Sequence, residues 1–200
     1  MSKHKDRILH AVDMQGTMSV VELSQILGVS DQTIRRVSQS LVQSGELTKV
    51  HGALVSNRNA SDPPFLARMN LNRNAKVAIA RKAIEIIEDG SSIAIDTGST
   101  SGFIALALRT RKKLSVVTNS AFVASTLAII PGNKVSMAGT QLRDHDGAAF
   151  DRSAFDVIER MLVDYVVLSA SMVDANKGFL VHEQCEVDIA SAMLKNAQCT

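Results

Sequence analysis

The chain holds 200 residues, 46% of them hydrophobic and 21% charged, which excludes a disordered polypeptide and allows one domain or two of unequal size. Its net charge is only +2, yet residues 1–60 carry seven Lys/Arg against five Asp/Glu while the other 140 carry fifteen of each, so the cationic excess sits where an anionic partner would meet the amino-terminal end. No apolar run approaches the ~18 residues of a membrane span, and the basic opening leads into no signal-peptide core, so a cytoplasmic location is expected. Cys185, Cys199, His4, His10, His51, His145 and His182 lack ligand spacing; no metal, cofactor or redox pair is expected.

Three helices are predicted in the first 45 residues. Ile8, Leu9 and Val12 form the stripe of the first, Lys5 to Met14, which Gln15-Gly16-Thr17 ends. Ser19-Val20-Val21-Glu22 fits a capping box, in which Ser and Glu each satisfy an orphan N–H of the other, and Val20, Leu23, Ile26 and Leu27 mark the helix it opens. Gly28 supplies a turn, Ser30 is placed to cap a third helix from Asp31 to Ser44, and Gly45 stops it. Glu46 to Val55 partly alternates apolar and polar residues around Gly52, as a small hairpin would. A polar stretch ending in Pro63-Pro64 reads as a linker. The expected organisation is a winged helix-turn-helix over 1–56, a linker over 57–64 and a second domain over 65–200.

On the third helix, 100° per residue sends Ile34, Val37 and Leu41 to one side and Gln32, Arg36 and Gln39 to the other. Arg can bridge guanine O6 and N7, and Gln can pair with adenine N6 and N7. Ser30 at the helix start, Thr33 and Arg35 at its flanks, and Lys49 and His51 on the hairpin are placed for backbone contacts. A plain solvated face uses the same residue types, so context must decide. The string Val29-Ser30-Asp31-Gln32-Thr33-Ile34-Arg35-Arg36, followed by Gly45, Leu47 and Lys49-Val50-His51-Gly52, resembles the DNA-binding signature of the DeoR family of bacterial regulators. The family usually has Asp-Leu where this chain has Val37-Ser38, and a second Gly where it has Ala53. Loss of the Leu predicts looser packing or a slight rotation of the helix.

Past the linker, helical stretches alternate with short apolar runs: a helix over 73–88, runs over 92–96, 114–118, 134–138 and 165–170, with helices from Ser101, over 121–127, over 152–161 and over 187–195. That order predicts an α/β domain with a mostly parallel sheet covered on both faces. The first run enters Asp96-Thr97-Gly98-Ser99-Thr100-Ser101, a turn whose N–H groups and hydroxyls suit a phosphate as well as they suit an ordinary strand-to-helix turn. Thr118-Asn119-Ser120 and Gly139-Thr140 end the next two runs, at the strand ends where open α/β sheets bind ligands.

These segments, with Pro64-Phe65, Arg68, Lys76, Asp164, Gly178 and Ala192-Met193, resemble the DeoR sensor domain. The resemblance implies a fold related to ribose-5-phosphate isomerase and the CoA-transferases, and a sugar-phosphate effector with its phosphate on the loop from Asp96 to Ser101. It places Asp96, Thr118, Asn119, Gly139 and Asp188 around the effector, and implies a homo-oligomeric repressor of a sugar-utilisation operon, released by that effector. Phe150-Asp151 stands where the family has Gly-Pro, and Thr140 where it has Gly. The chain also ends roughly fifty residues before the family pattern, which predicts a last helix with no strand after it and an unpaired sheet edge. Two alternatives stand beside this reading. One is a DNA-binding relic without effector response. The other is a sugar-phosphate isomerase, against which Ser169-Ala170-Ser171-Met172 offers no carboxylate where a general base would be needed.

Overall fold

The computed structural model describes residues 3–50, 52–56 and 64–199. The chain divides into two compact units, Met1–Arg68 and Met69–Thr200. His51 and all of the expected linker except Pro64 lie outside the described residues.

The first unit runs α1 (Lys3–Gln15), β1 (Thr17–Ser19), α2 (Val20–Leu27), α3 (Asp31–Gln43), β2 (Leu47–Val50) and β3 (Ala53–Ser56). Its helix signals act as their chemistry requires. Glu22 N–H donates to Ser19 Oγ (3.2 Å) and Ser19 N–H to Glu22 Oε2 (2.8 Å), closing the capping box. Gly28 ends α2 in the left-handed conformation at φ 65°, and Ser30 Oγ accepts from Thr33 N–H (3.3 Å) to cap α3. Ile8, Val12, Leu23, Ile34 and Leu41 meet Leu47 and Leu54 of the hairpin in one core.

Two details depart from expectation. Residues 15–17 do not simply end a helix: β1 pairs antiparallel with β3, Met18 opposite Leu54, giving a three-stranded wing ordered β1-β3-β2. Only Met18 is buried in that strand, so three residues give too short a pattern for period-2 alternation to be read. On α3 the buried stripe is Ile34, Ser38 and Leu41, with Val37 on its flank. The spacing i, i+4, i+7 wins over hydrophobicity because neighbouring positions are fixed by the helix's pitch. Ser38 satisfies its hydroxyl within the helix by donating to Arg35 C=O (3.2 Å).

The second unit follows α4 (Phe65–Asn70), which spans the division. Its elements are α5 (Arg73–Ile86), β4 (Ser92–Ile95), α6 (Ser99–Leu108), β5 (Ser115–Thr118), α7 (Ala121–Ala128), β6 (Lys134–Met137), α8 (Arg152–Ile158), β7 (Val163–Val167), β8 (Met172–Asp174), β9 (Gly178–Leu180), α9 (Gln184–Lys195) and β10 (Ala197–Cys199). Five strands form a wholly parallel sheet ordered β10-β7-β4-β5-β6. Ile93, Ile95 and Val116 pack with α5, α6 and α7 on one face, while Ala94, Val117 and Val166 pack with α8 and α9 on the other. Ser92 N–H and Oγ both donate to Asp164 Oδ2 (2.7 Å each), pinning the starts of β4 and β7 in register.

The last helix is followed by a strand after all, so β7 is not the edge of the sheet and β10 takes that place. β10 follows α9 and pairs with β7, Ala197 opposite Val163, because three residues, Ala197–Cys199, suffice for a parallel edge strand. The antiparallel hairpin of β8 and β9 was also not anticipated; each strand has only three residues. α6 begins at Ser99, two residues earlier than expected, so Ser99, Thr100 and Ser101 lie in its first turn.

Candidate functional sites

In the first unit, burial of Ile34, Ser38 and Leu41 turns the opposite face of α3 outward. Gln32, Arg35, Arg36 and Gln39 are exposed, and Gln43 falls on the same line as Arg36 two turns on. Sequence reading missed Gln43, although the 3.6-residue period alone contained it. Ser30 and Thr33 have a structural task as well: their hydroxyls lie 3.0 Å apart at the helix cap. Lys49 is exposed on β2, opposite Leu54. Between α3 and the hairpin lies an open concavity of about 350 Å³ lined by Val20, Arg35, Ser38, Gln39, Val42, Lys49 and Leu54. Arg35 borders it from the helix and Lys49 from the wing, so two cations flank one groove. A Leu in place of Ser38 would fill part of that space.

In the second unit, chain order reverses between β4 and β7, and the carboxyl ends of β4, β5, β6 and β7 converge there. Asp96, Thr97, Ser99, Ser101, Thr118, Asn119 and Ser120 are all buried, and Thr100 is half-buried. Asn119 accepts from Thr97 N–H through Oδ1 (3.1 Å), joining the loops after β4 and β5. Thr118 Oγ1 accepts from Ser120 N–H (3.1 Å), so Thr118 shapes the turn that carries Asn119.

Gly98 stands at φ 135°, and a Cβ there would lie 2.5 Å from both Cβ and Oγ of Ser169. Only glycine permits this approach. Ser169, at the end of β7, lies 3.0 Å from Ser101 Oγ and accepts from Ser101 N–H (3.3 Å); no signal in the sequence marked it as part of this loop's wall. Gly139 is also constrained, since a Cβ there would come within 2.3 Å of Ala149 Cβ. The N-cap residue of α6, Gly98, has no side chain to cap the helix; Ser169 takes the Ser101 N–H, which leaves the N–H groups of Ser99 and Thr100 as the first-turn donors suited to an anion.

Two buried polar atoms in this cluster, Thr97 Oγ1 and Asn119 Nδ2, have no hydrogen-bond partner among the described residues. Each such group costs about 1–3 kcal/mol unless something else satisfies it. Asp96 lies alongside. Burial pushes its carboxyl up to about 7; Thr97 N–H and the Asn119 amide pull the other way, while Glu186 and Asp146 raise it further.

The segment after β6 folds back over these strand ends, with Ala149 N–H donating to Asn119 C=O (2.8 Å). Within it, Arg143 pairs with Asp146 (2.6 Å), and reaches Glu186 (2.8 Å) and Glu183 (3.2 Å) at the start of α9. Its guanidinium also lies 4.3 Å over the Phe150 ring. Burial opposes the Arg143 charge, but the bonds to Asp146 and then Glu186 outweigh it and raise its pKa. Asp151, where the sequence departs from Gly-Pro, caps α8 and accepts from Thr140 N–H (2.8 Å) and Gln141 N–H (2.7 Å). Hydrogen bonds from Ser153, Thr140 and Gln141 hold it well below the usual carboxylate range. Asp188 is exposed and accepts from Gln184 (2.8 Å); the α9 carboxylate that acts on Asp96 is Glu186. Among the described residues no cluster of His, Cys, Asp and Glu is placed to hold a metal ion, and no helix is long and apolar enough to cross a membrane.

A helix with an exposed polar face beside a wing, followed by a parallel α/β unit with polar loops at its strand ends, is the layout of a DNA-binding regulator with a sensor domain. The DeoR-like helix-turn-helix domain matches residues 5–60 and the DeoR C-terminal sensor domain matches residues 71–200. The chain belongs to the DeoR family of transcription regulators. It is 31% identical to the glycerol-3-phosphate regulon repressor of Escherichia coli strain K12 over 96% of this chain and 76% of the relative. It is 30% identical to the transcriptional repressor CsqR of the same organism, over 96% and 74%. To the L-fucose operon activator of Haemophilus influenzae it is 29% identical, over 99% and 80%. Among solved structures, an O-methyltransferase family protein from Burkholderia thailandensis aligns over 98% of this chain and 73% of its own, at 11% identity and a TM-score of 0.30, too weak a likeness to bear on the fold.

Proposed function

We propose that this protein is an operator-binding repressor of a sugar-utilisation operon whose effector is a phosphorylated sugar. The observation that carries the sensor half is the pair of buried atoms without a partner among the described residues, Thr97 Oγ1 and Asn119 Nδ2, beside the start of α6, whose N-cap Gly98 has no side chain. A phosphate on the first-turn N–H groups of Ser99 and Thr100 and the hydroxyl side of Ser101, close against Gly98, with sugar hydroxyls on Asp96, Thr97 and Asn119, would satisfy them. Thr118 and Gly139 then serve as supports for the loops, and Asp188 is assigned to the effector from α9. Kinship with the ribose-5-phosphate isomerase and CoA-transferase folds belongs to this reading, supported by the parallel sheet and by the position of the loop.

The DNA-reading half assigns base edges to Gln32, Arg36 and Gln39, and phosphates to Ser30, Thr33, Arg35, Lys49 and His51. Outward orientation of the first group and the flanking of one groove by Arg35 and Lys49 support that division. The protein acts as a cytoplasmic homo-oligomer on repeated half-sites, without catalysis. The names of two of the three relatives support repression. Selecting bound fragments from genomic DNA, then titrating sugar phosphates against the selected duplex, tests the whole reading. The expected result is a preferred site beside sugar-utilisation genes and its release by one phosphorylated sugar. Binding with no preference over random duplex at moderate salt overturns it.

A further inference from the structure

The wall next to the anion loop offers an uneven set of hydrogen-bonding groups. Asn119 Nδ2 can only donate, the Thr97 hydroxyl can do both, and Asp96 when ionised can only accept. A ligand hydroxyl, which donates and accepts at once, suits all three. A ligand carboxylate only accepts, and here it would stand among Asp96, Asp146 and Glu186. The cation that faces these acids, Arg143, is hydrogen-bonded by Asp146 and Glu186 through Nη2; its Nη1 lies 3.2 Å from Glu183 without a hydrogen bond among the described residues, and three carboxylates around one guanidinium compensate its field. Even Asp96, the group built into this place, resists ionisation there.

We infer that the site is selective for phosphorylated polyols and sugars whose other end is uncharged, and that the carboxylates of Asp96, Asp146 and Glu186 make it reject phosphorylated sugar acids of the same size. The inference rests on the sensor reading and adds to it a repulsive element, the kind of feature that turns binding into specificity. Glu186 is a positioning and specificity residue here: it acts on the ligand through its field and through its hold on Arg143.

The test uses the full chain and two matched pairs of probes, glycerol 3-phosphate with 3-phosphoglycerate and glucose 6-phosphate with 6-phosphogluconate, with inorganic phosphate as reference. Thermal shift and calorimetry at about pH 8 report binding. In any pair with a binding member, the uncharged-end compound is expected to bind at least about tenfold more tightly than its acid. Glu186→Gln should narrow that ratio to about threefold or less, chiefly by tightening the acid member, since it removes one negative charge and frees part of Arg143. Glu183→Gln, at a half-exposed position, should act in the same direction more weakly and serves if the first variant fails to fold. Equal binding of acid and uncharged partner overturns the inference while leaving the sensor reading intact, as does an unchanged ratio in both variants. Binding of inorganic phosphate with neither member of either pair also overturns it. If nothing phosphorylated binds, the sensor reading falls and the inference with it.

Discussion

The two units use polar residues in opposite ways. In the first, the candidate reading residues stand outside a filled apolar core, and Gln32, Arg36 and Gln39 are exposed on α3. In the second, the candidate ligand residues are themselves buried, and Asp96, Thr97 and Asn119 occupy places that a core side chain could fill. An exposed polar face costs a fold little, since water satisfies it; a buried one is retained against a desolvation cost and leaves specific atoms unpaired. Substitutions at the first site should therefore change recognition with little change in stability, and those at the second should change both.

The largest effect is expected at Gly98. Gly98→Ala sets a Cβ against Ser169 at a φ that L-residues rarely adopt, and should destabilise the second unit by about 3–5 kcal/mol. Hydrogen exchange would show protection lost in β4 and α6 while α3 keeps its own; equal loss in both would break the contrast between the units. Adding Ser169→Gly should recover part of the loss, because the clash goes but the strained φ stays.

Asp96 comes next. Its carboxyl titrates at about 7 in the native state, whereas an unfolded aspartate titrates near 4. Between these values the native state holds the extra proton, so stability falls as pH rises through that window and is level above it. The groups that set this behaviour are Thr97 N–H, the Asn119 amide, Glu186 and Asp146, with Arg143 holding the last two. Asp96→Asn should abolish the fall, on the order of 4 kcal/mol, and weaken effector binding at the same time. Denaturant titrations from pH 4 to 8 decide it: a variant with the parent's slope means that Asp96 does not carry the dependence.

Arg36→Ala is expected to cost about 1–3 kcal/mol in operator binding and to relax base preference, while Lys49→Ala weakens all duplexes alike and shallows the salt dependence. Neither should move the melting temperature by more than a degree or so, as surface changes seldom exceed about 0.5 kcal/mol. Competition with scrambled duplexes checks this; identical, sequence-independent losses for the two variants would remove the division between base and phosphate contacts. The smallest effect is a gain. Ser38→Leu should fill part of the concavity beside α3 and stabilise the first unit by about 1 kcal/mol, read as a raised denaturation midpoint; a lowered one would mean that the space is too shallow for the side chain.

Much of this was legible beforehand. Caps at Ser19 and Ser30, the stops at Gly28 and Gly45, and the alternation that gives β4, β5, β6 and β7 are local, since each rests on residues within one or two turns. The loop from Asp96 to Ser101 was visible as a run of small polar residues. Ser169, Arg143, Asp146 and Glu186 were not, because each reaches the site from a distant part of the chain, and nothing in their neighbourhoods distinguishes them from polar residues that face water. The same reason hid β1, β8, β9 and β10, whose three residues have meaning only beside a partner.

Sequence alone therefore determined the helices of the reading unit, the α/β alternation behind them and the chemistry of one loop, because helix periodicity, capping and turn preferences act over a few residues. Tertiary structure decided which serine fills the middle of α3's buried face, which α9 carboxylate acts on Asp96, and which polar atoms are left without partners. Those outcomes depend on which strand ends converge, and convergence is fixed by burial of the sheet between its two helical layers, a property of the whole unit.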